Sequence, residues 1–153
     1  MLNIVLIHPE IPNNTGNIGR LCVGTGCHLH LVHPLGFEIS DKQLKRSGLD
    51  YWPFLKCSQH KDYESWKKQV SALDRVFLFT SKGTKSFLVP KYQEGDWLVF
   101  GRESKGLEEK VLKDFNNHLL IPKTDHLRSY NIANAVSFAI GESLRQINDF
   151  KVH

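Results

Sequence analysis

Residues 3–7 read NIVLI, and residues 8–25 continue with HPEIPNNTGNIGRLCVGT. The first segment is a β-branched apolar run that ends before a His-Pro pair, and such a run predicts a buried strand. After the polar residues 13–16, apolar side chains return at helical spacing from Ile18 onward. The chain therefore opens with a predicted strand, a polar loop and a helix.

The same alternation continues through the rest of the chain. Further strands are predicted at residues 28–32, 75–79, 97–100 and 118–121, and helices at residues 42–47, 62–70, 107–114 and 131–146. The last helix has the clearest signal, a wide apolar stripe formed by Ile132, Val136, Ala139, Ile140, Leu144 and Ile147. Apolar strands that alternate with helices are typical of α/β proteins, so the predicted fold is a mostly parallel sheet flanked by helices.

Length and composition limit the class of protein. A chain of 153 residues that is 41% hydrophobic and 24% charged predicts one globular domain over residues 1–153. The 20 Lys and Arg residues exceed the 16 Asp and Glu residues, and the net charge of +4 fits a polyanionic partner such as RNA. The three cysteines form no CxxC pair, which argues against a zinc knuckle or a disulfide framework and favours a reducing cytoplasm. We expect no signal peptide and no membrane span, because no basic leader or long apolar run is present.

Ligands of parallel sheets bind at the loops that follow the carboxyl ends of the strands, and three such loops carry unusual polar residues. The first, residues 12–20, reads PNNTGNIGR and runs into a helix. Its free backbone N–H groups could hold a phosphate, with the Arg20 guanidinium beside it. An ordinary helix cap with an exposed arginine is an equally open interpretation.

The second loop, residues 101–107, reads GRESKGL and follows a predicted strand directly. Gly101 and Gly106 bracket Glu103, where the backbone must turn tightly or approach a ligand closely. The two glycines have the spacing of a P-loop, but Leu107 stands in place of its phosphate-binding lysine, which excludes an NTPase of that type. A solvent-facing turn before a helix is the alternative interpretation.

The third loop, residues 127–135, reads LRSYNIANA and opens the last helix. Ser129 and Asn131 are ordinary helix N-cap residues. Asn134 lies one turn into an apolar helix, so its amide must either face solvent or hydrogen-bond a buried partner.

Taken together and in this order, the loops resemble the three motifs of the SPOUT methyltransferases. The matching residues are Asn14-x-Gly16-x-x-x-Arg20, Phe100-Gly101-x-Glu103-x-x-Gly106-Leu107 and Ser129-x-Asn131-x-x-Asn134-Ala135. Residues 9–12 (PEIP), 48–51 (GLDY) and 144–146 (LRQ) resemble the small single-domain branch that methylates the ribose 2′-hydroxyl of the wobble nucleotide of tRNA, cytidine or uridine. The resemblance covers roughly residues 2–147.

This resemblance implies a fold, a cofactor and an assembly. The fold is an α/β sheet with a C-terminal trefoil knot, and the family works as a homodimer on RNA, here the tRNA anticodon stem-loop. The cofactor is S-adenosylmethionine (AdoMet), bound mostly through backbone groups, and no metal is required. By motif, AdoMet would lie against Phe79, Thr80, Gly101, Gly106, Ile121, Ser129 and Tyr130.

The resemblance also implies roles in catalysis, which requires orientation of the ribose hydroxyl and removal of its proton. Arg20 would meet the tRNA phosphate or hydroxyl, facing the cofactor of the partner subunit. Because arginine stays protonated, we assign it positioning and charge stabilisation rather than a role as general base. Glu103 would orient its loop or pair with a basic group, while Ser129 and Asn131 organise the third loop. The general base is left open.

Contacts with tRNA are expected from Asn14, Lys45 and Arg46. Further exposed cations that could extend this surface are Lys42, Lys56, Lys82, Lys85 and Arg128, although a merely solvated basic face is equally open. Tyr51 and Trp52 could stack on a splayed anticodon base. The favoured interpretation is that these two aromatic residues belong to the core and to a turn.

The sequence departs from the family pattern at two positions, and three alternative functional interpretations are considered. Ala133 replaces a serine common in relatives, and Gly141 replaces an aromatic residue and is expected to leave a gap in the last helix. A metal site at His28, His30 and His33 is disfavoured, because the third ring points away from the first two on a strand. A dinucleotide-binding oxidoreductase lacks support, because no G-x-G-x-x-G is present. A non-catalytic RNA-binding module with the same fold is the main alternative function.

Overall fold

The computed structural model describes residues 1–40 and 50–147. The strands are β1 (Asn3–Ile7), β2 (His28–Val32), β3 (Cys57–His60), β4 (Val76–Phe79), β5 (Lys85–Ser86), β6 (Trp97–Phe100) and β7 (Asn117–Leu120). The α-helices are α1 (Pro12–Thr25), α2 (Tyr63–Lys67), α3 (Glu109–Asp114) and α4 (Ile132–Ile147), and 3-10 turns lie at Trp52–Phe54 and Leu73–Arg75. The helix predicted at residues 42–47 lies outside the described residues.

The described strands form one sheet in the order β3-β2-β1-β6-β4-β7-β5. All the paired strands run parallel, which confirms the predicted α/β class. Because β1, β6, β4 and β7 are neighbours, the loops that follow their carboxyl ends meet at one edge of the sheet. The trefoil knot stays a prediction.

The sheet is buried on both faces, as its apolar strands require. One face carries Ile4, Leu6 and Phe100 and is covered by α1 and α4. The opposite face carries Val5 and Val99 and is covered by α2 and α3. Helix α4 lies within one residue of the predicted bounds. Gly141 on this helix is exposed and an added Cβ would meet nothing within 4 Å, so the expected gap is absent from the described core.

The predicted polar loop at residues 13–16 is wrong, because α1 already begins at Pro12. Proline is well suited to a first helical turn, where its missing N–H leaves no hydrogen bond unmade. Asn14 and Thr15 are consequently buried on the helix. The first turn is stabilised by a distant group, since the Glu103 carboxylate accepts the N–H of Ile11 at 3.1 Å. A contact across 92 residues is invisible in the local sequence pattern.

Two short strands were not predicted, β3 and β5. The β3 sequence, CSQH, lacks an apolar run and lies at the sheet edge beside β2. The β5 segment has only two residues and pairs with β7 at the opposite edge. Arg75, predicted to open β4, instead ends the preceding 3-10 turn, where its guanidinium pairs with the buried Asp96 carboxylate at 2.6 Å.

A cluster of histidine rings joins β1, β2 and β3. Asn3 donates its amide N–H to the Gly95 carbonyl, so its Oδ1 accepts from His30 Nε2 at 3.1 Å. His30 Nδ1 must then accept the Nε2–H of His60, at 3.0 Å. The His30 ring is therefore fully bonded only when neutral. Burial, reinforced by neighbouring His28 and His60, lowers its pKa to about 3.

We expect this ring to make the free energy of unfolding dependent on pH. The unfolded chain binds a proton near pH 6.5, whereas the folded chain does not until about pH 3, so stability present above pH 6.5 is lost as the pH falls. The slope contributed by His30 approaches roughly 1.4 kcal/mol per pH unit. Urea unfolding between neutral and mildly acidic pH measures it. His30→Gln should flatten the slope, while the exposed-site control His126→Gln should keep it; an unchanged slope in His30→Gln would contradict this assignment.

Candidate active site

A cavity of about 580 Å³ lies at the carboxyl ends of β4, β6 and β7. All the residues predicted to bind the cofactor line it: Phe79, Thr80, Gly101, Gly106, Ile121, Ser129 and Tyr130. Glu103, Asn131 and Asn14 also line it. Its volume is within the range typical of small-molecule sites.

The wall that follows β6 is a tight loop at residues 101–107. Arg102 and Gly106 exchange backbone hydrogen bonds at 3.2 and 2.8 Å, which closes the loop at its base. A Cβ at Gly101 would overlap the backbone of Gly106 and Leu107. Gly106 itself adopts a left-handed φ of 66°, which favours glycine. Both glycines are therefore needed for this conformation.

The wall that follows β4 is packed equally closely against β7. The Thr80 N–H donates to the Leu119 carbonyl at 3.0 Å, and the Thr80 hydroxyl accepts the Lys82 N–H at 3.2 Å. A Cβ at Gly83 would overlap the Leu119 backbone, so this loop can approach β7 only with glycine there. The loop after β4, like the loop after β6, therefore depends on a glycine.

The third wall is the segment before α4. The Tyr130 hydroxyl donates to the Pro122 carbonyl at 2.8 Å, and the Asn131 Oδ1 caps α4 by accepting the Ala133 N–H at 2.9 Å. This cap uses the backbone of Ala133, so the missing serine hydroxyl does not affect it. Ser129 and Asn134 are exposed. Of the two alternatives for the Asn134 amide, solvent or a buried partner, the structure therefore favours solvent.

One hydrogen-bonded relay connects the three motifs. Asn131 Nδ2 donates to Asn14 Oδ1 at 3.0 Å, and Asn14 Nδ2 donates to Glu103 Oε1 at 3.4 Å. Glu103 in turn accepts the N–H groups of Glu10 at 2.8 Å and Ile11 at 3.1 Å. Asn14 is only 8% exposed and uses both ends of its amide in this relay. That geometry favours an organising role over the predicted contact with tRNA.

Arg20 is exposed on α1 and is not among the described residues that line this cavity. It follows Asn14 by six residues on the helix, which corresponds to about 9 Å along the axis and about 120° around it. The cavity of a single chain therefore contains the predicted cofactor residues without the predicted catalytic arginine.

The cavity rim is basic. Five cationic residues line it: Lys82, Arg102, Lys105, Lys123 and Arg128. Arg102 forms an ion pair with Glu108, whereas Lys82, Lys105, Lys123 and Arg128 are exposed. Sequence reasoning missed Lys105 and Lys123 as rim residues, although Lys105 stands inside the glycine-bracketed motif. The predicted contacts Lys42, Lys45 and Arg46 lie outside the described residues.

The aromatic pair Tyr51 and Trp52 packs against α1 at Gly19. The Tyr51 hydroxyl donates to the Gly16 carbonyl, and burial raises the pKa of this hydroxyl. Both rings are half-buried, which favours the interpretation as core and turn. Phe54, which sequence reasoning did not single out, is the exposed aromatic residue of this turn, at 75%.

The described residues contain no group of three or more His, Cys, Asp or Glu side chains arranged to hold a metal ion. Within residues 1–40 and 50–147, no helix has the length and apolar character needed to cross a bilayer.

Comparisons with known proteins identify the family of this chain. The sequence model of the SpoU rRNA Methylase family matches residues 1–141. A tRNA (cytidine(34)-2′-O)-methyltransferase from Saccharophagus degradans is 46% identical over 149 residues, covering 96% of each chain. A solved structure described as giving insight into "the 2-OH methylation of C/U34 on tRNA" is 44% identical, with a TM-score of 0.91 and 95% coverage of each chain.

A more distant structure supports the fold alone. The SpoU methyltransferase AviRb from Streptomyces viridochromogenes, solved with the cofactor AdoMet, is 20% identical with a TM-score of 0.85. It matches 95% of this chain and 57% of its own. The family match over most of the chain and the identity to full-length relatives confirm the predicted resemblance. The chain belongs to the SpoU methylase family.

Proposed function

We propose that this protein transfers a methyl group from AdoMet to the ribose 2′-hydroxyl of nucleotide 34, cytidine or uridine, in the anticodon stem-loop of tRNA. The observation that carries the proposal is the convergence of three motif loops on one cavity in a chain 46% identical to a tRNA (cytidine(34)-2′-O)-methyltransferase. Such a substrate implies action in the cytoplasm.

The cavity lining fits AdoMet. Apolar side chains of Phe79, Leu107 and Ile121 can cover an adenine, while the glycine-bracketed loop offers backbone N–H and C=O groups at close range. The remaining predicted cofactor contacts also line the cavity: Thr80 in the loop after β4, and Ser129 and Tyr130 in the segment before α4. When bound, AdoMet supplies an electrophilic sulfonium methyl group for in-line attack by the ribose oxygen.

The catalytic roles divide between the relay and Arg20. Glu103 and Asn131 keep the three loops together through Asn14, and Ser129 stands exposed at the third wall. Arg20 orients the substrate phosphate and stabilises charge that develops on the ribose oxygen. Since Arg20 lies outside the cavity of its own chain, we propose a homodimer in which Arg20 of one subunit completes the site of its partner.

The basic rim is the proposed docking surface for tRNA. Its exposed cations can contact the phosphates on either side of the target nucleotide. Lys45 and Arg46 are also proposed to contact tRNA.

The direct test is methyl transfer from isotope-labelled AdoMet into tRNA that lacks the wobble methylation, followed by nuclease mapping and mass spectrometry. A labelled 2′-O-methyl nucleotide at position 34 is the expected result. Label at another position would overturn the assigned site. Cofactor binding without transfer to any tRNA, including tRNA that lacks only the wobble methylation and carries its other modifications, would favour the non-catalytic RNA-binding module.

A further inference from the structure

The loops that follow β1 and β6 are joined by two glutamates that exchange hydrogen bonds. Glu103 accepts the backbone N–H groups of Glu10 and Ile11. In return, Glu10 Oε1 accepts the Ser104 N–H at 3.0 Å and the Ser104 hydroxyl at 2.7 Å. Each loop thus supplies one carboxylate, which accepts hydrogen bonds from the other loop. We name this arrangement of Glu10, Ile11, Glu103 and Ser104 the carboxylate clasp.

The Glu10 half of the clasp consists of hydrogen bonds to a charged acceptor. The hydrogen bonds from the Ser104 hydroxyl and amide lower the pKa of the Glu10 carboxyl, and the cations of Arg102 and Lys105 act in the same direction. The carboxyl is therefore ionised at neutral pH. Hydrogen bonds to a charged acceptor are stronger than those between neutral groups.

The clasp holds the tip of the loop at residues 101–107, which we name the cofactor loop. The backbone bonds between Arg102 and Gly106 fix the base of this loop, whereas the tip, residues 103–105, projects beyond them. Ser104 and Lys105 at the tip are exposed and line the cavity. Glu10 is not among the described lining residues, and its carboxylate is linked to the cavity through Ser104.

Glu10 is itself supported from behind. The Gly36 N–H donates to the Pro9 carbonyl at 2.9 Å. A Cβ at Gly36 would come within 2.8 Å of the Glu10 Cα, so the two backbones are in close contact. This contact restricts movement of the Glu10 backbone.

We propose that Glu10 is a positioning residue whose carboxylate holds the tip of the cofactor loop in the conformation that receives the methyl donor. The inference rests on the proposed function, because that donor is AdoMet. Without Glu10, the tip must be ordered when the ligand binds, and the ordering cost reduces affinity. The reacting groups stay in place once the ligand is bound, so turnover at saturation is preserved.

The test compares Glu10→Ala, Glu10→Gln and Ser104→Ala in the full chain, with steady-state kinetics at varied AdoMet and calorimetric AdoMet binding. We expect Glu10→Ala to raise the KM and Kd for AdoMet about tenfold, with kcat changed less than about twofold. Glu10→Gln, which keeps an acceptor oxygen, should recover most of the affinity. Glu64→Gln, a surface carboxylate paired with Lys110, is the matched control and should behave as wild type.

A double-mutant cycle separates positioning from general destabilisation. In the Ser104→Ala background, Glu10→Ala should raise KM less than in the wild type, because one of its bonds is already absent. Ser104→Ala removes only an exposed hydroxyl and carries the test if Glu10→Ala fails to fold; about a threefold rise in KM is then expected. Additive effects, an unchanged KM, or a loss that follows the unfolded fraction would overturn the inference. A wild-type chain that binds no AdoMet would overturn the proposed function with it, whereas an active wild type with a normal Glu10→Ala variant would overturn the inference alone.

Discussion

Replacing Arg20 with alanine should reduce methyl transfer to tRNA by at least about a hundredfold, while folding and AdoMet binding stay at wild-type levels. The side chain is exposed on α1, so its removal leaves no cavity in the core. It is also not among the described residues that line the proposed cofactor cavity, so the AdoMet Kd should be unaffected. The loss instead reflects a missing fixed positive charge beside the reacting oxygen.

The measurement is single-turnover methylation at saturating AdoMet, with thermal unfolding and calorimetric AdoMet binding on the same samples. Arg20→Lys should give an intermediate rate, because lysine keeps the charge but not the planar fork that binds phosphate in a bidentate manner. Lys68→Ala removes an exposed cation beside α2, on the opposite face of the sheet, and serves as the control. Full activity of Arg20→Ala would remove this residue from the catalytic assignment.

Substituting Gly101 with alanine should weaken cofactor binding severely, with the AdoMet Kd raised by about a hundredfold or more, equivalent to about 2.7 kcal/mol. The added Cβ would overlap the Gly106 and Leu107 backbone, which no side-chain rotation can relieve. The loop must therefore open at the point where it lines the cavity. Calorimetric titration with AdoMet measures the effect.

A graded glycine series provides the control for this substitution. Gly106→Ala meets no atom within 4 Å but must adopt a φ of 66°, which costs roughly 1–2 kcal/mol. Gly24→Ala on α1 meets no atom within 4 Å and occupies an ordinary helical position. Losses of AdoMet affinity should follow the order Gly101, Gly106, Gly24. Wild-type affinity in Gly101→Ala would contradict the rigid loop described here.

The local sequence pattern was sufficient to predict the elements that bury side chains at a regular period. The apolar runs of β1, β2 and β6 and the apolar stripe of α4 predicted those elements to within one residue, because each buries side chains at its own period. β3 has no such run. Its polar residues Ser58 and His60 instead form hydrogen bonds with the histidines of the neighbouring strand β2. Edge strands that are stabilised by side-chain hydrogen bonds leave no apolar signature.

The sequence predicted which residues form the site, but it did not predict how they contact one another. The motif resemblance identified the cavity-lining positions, yet the relay from Asn131 to Asn14 spans 117 positions in sequence. Pro12 is a local signal for the start of a helix, but the support that Glu103 gives to this turn comes from a distant loop and leaves no local pattern. The roles of Lys105 and Lys123 at the rim likewise depend on the folded chain.

The location of Arg20 outside the cavity of its own chain has a consequence for mixtures of two variants. In the proposed dimer, an Arg20→Ala chain keeps an intact cofactor loop, and a Gly101→Ala chain keeps an intact arginine. Co-refolding the two inactive variants should therefore rebuild one complete site in every mixed dimer. With random pairing, half of the dimers are mixed and each has one of its two sites restored, so about a quarter of wild-type activity should return. Complementation of this kind cannot occur if each chain supplies all the groups for its own reaction.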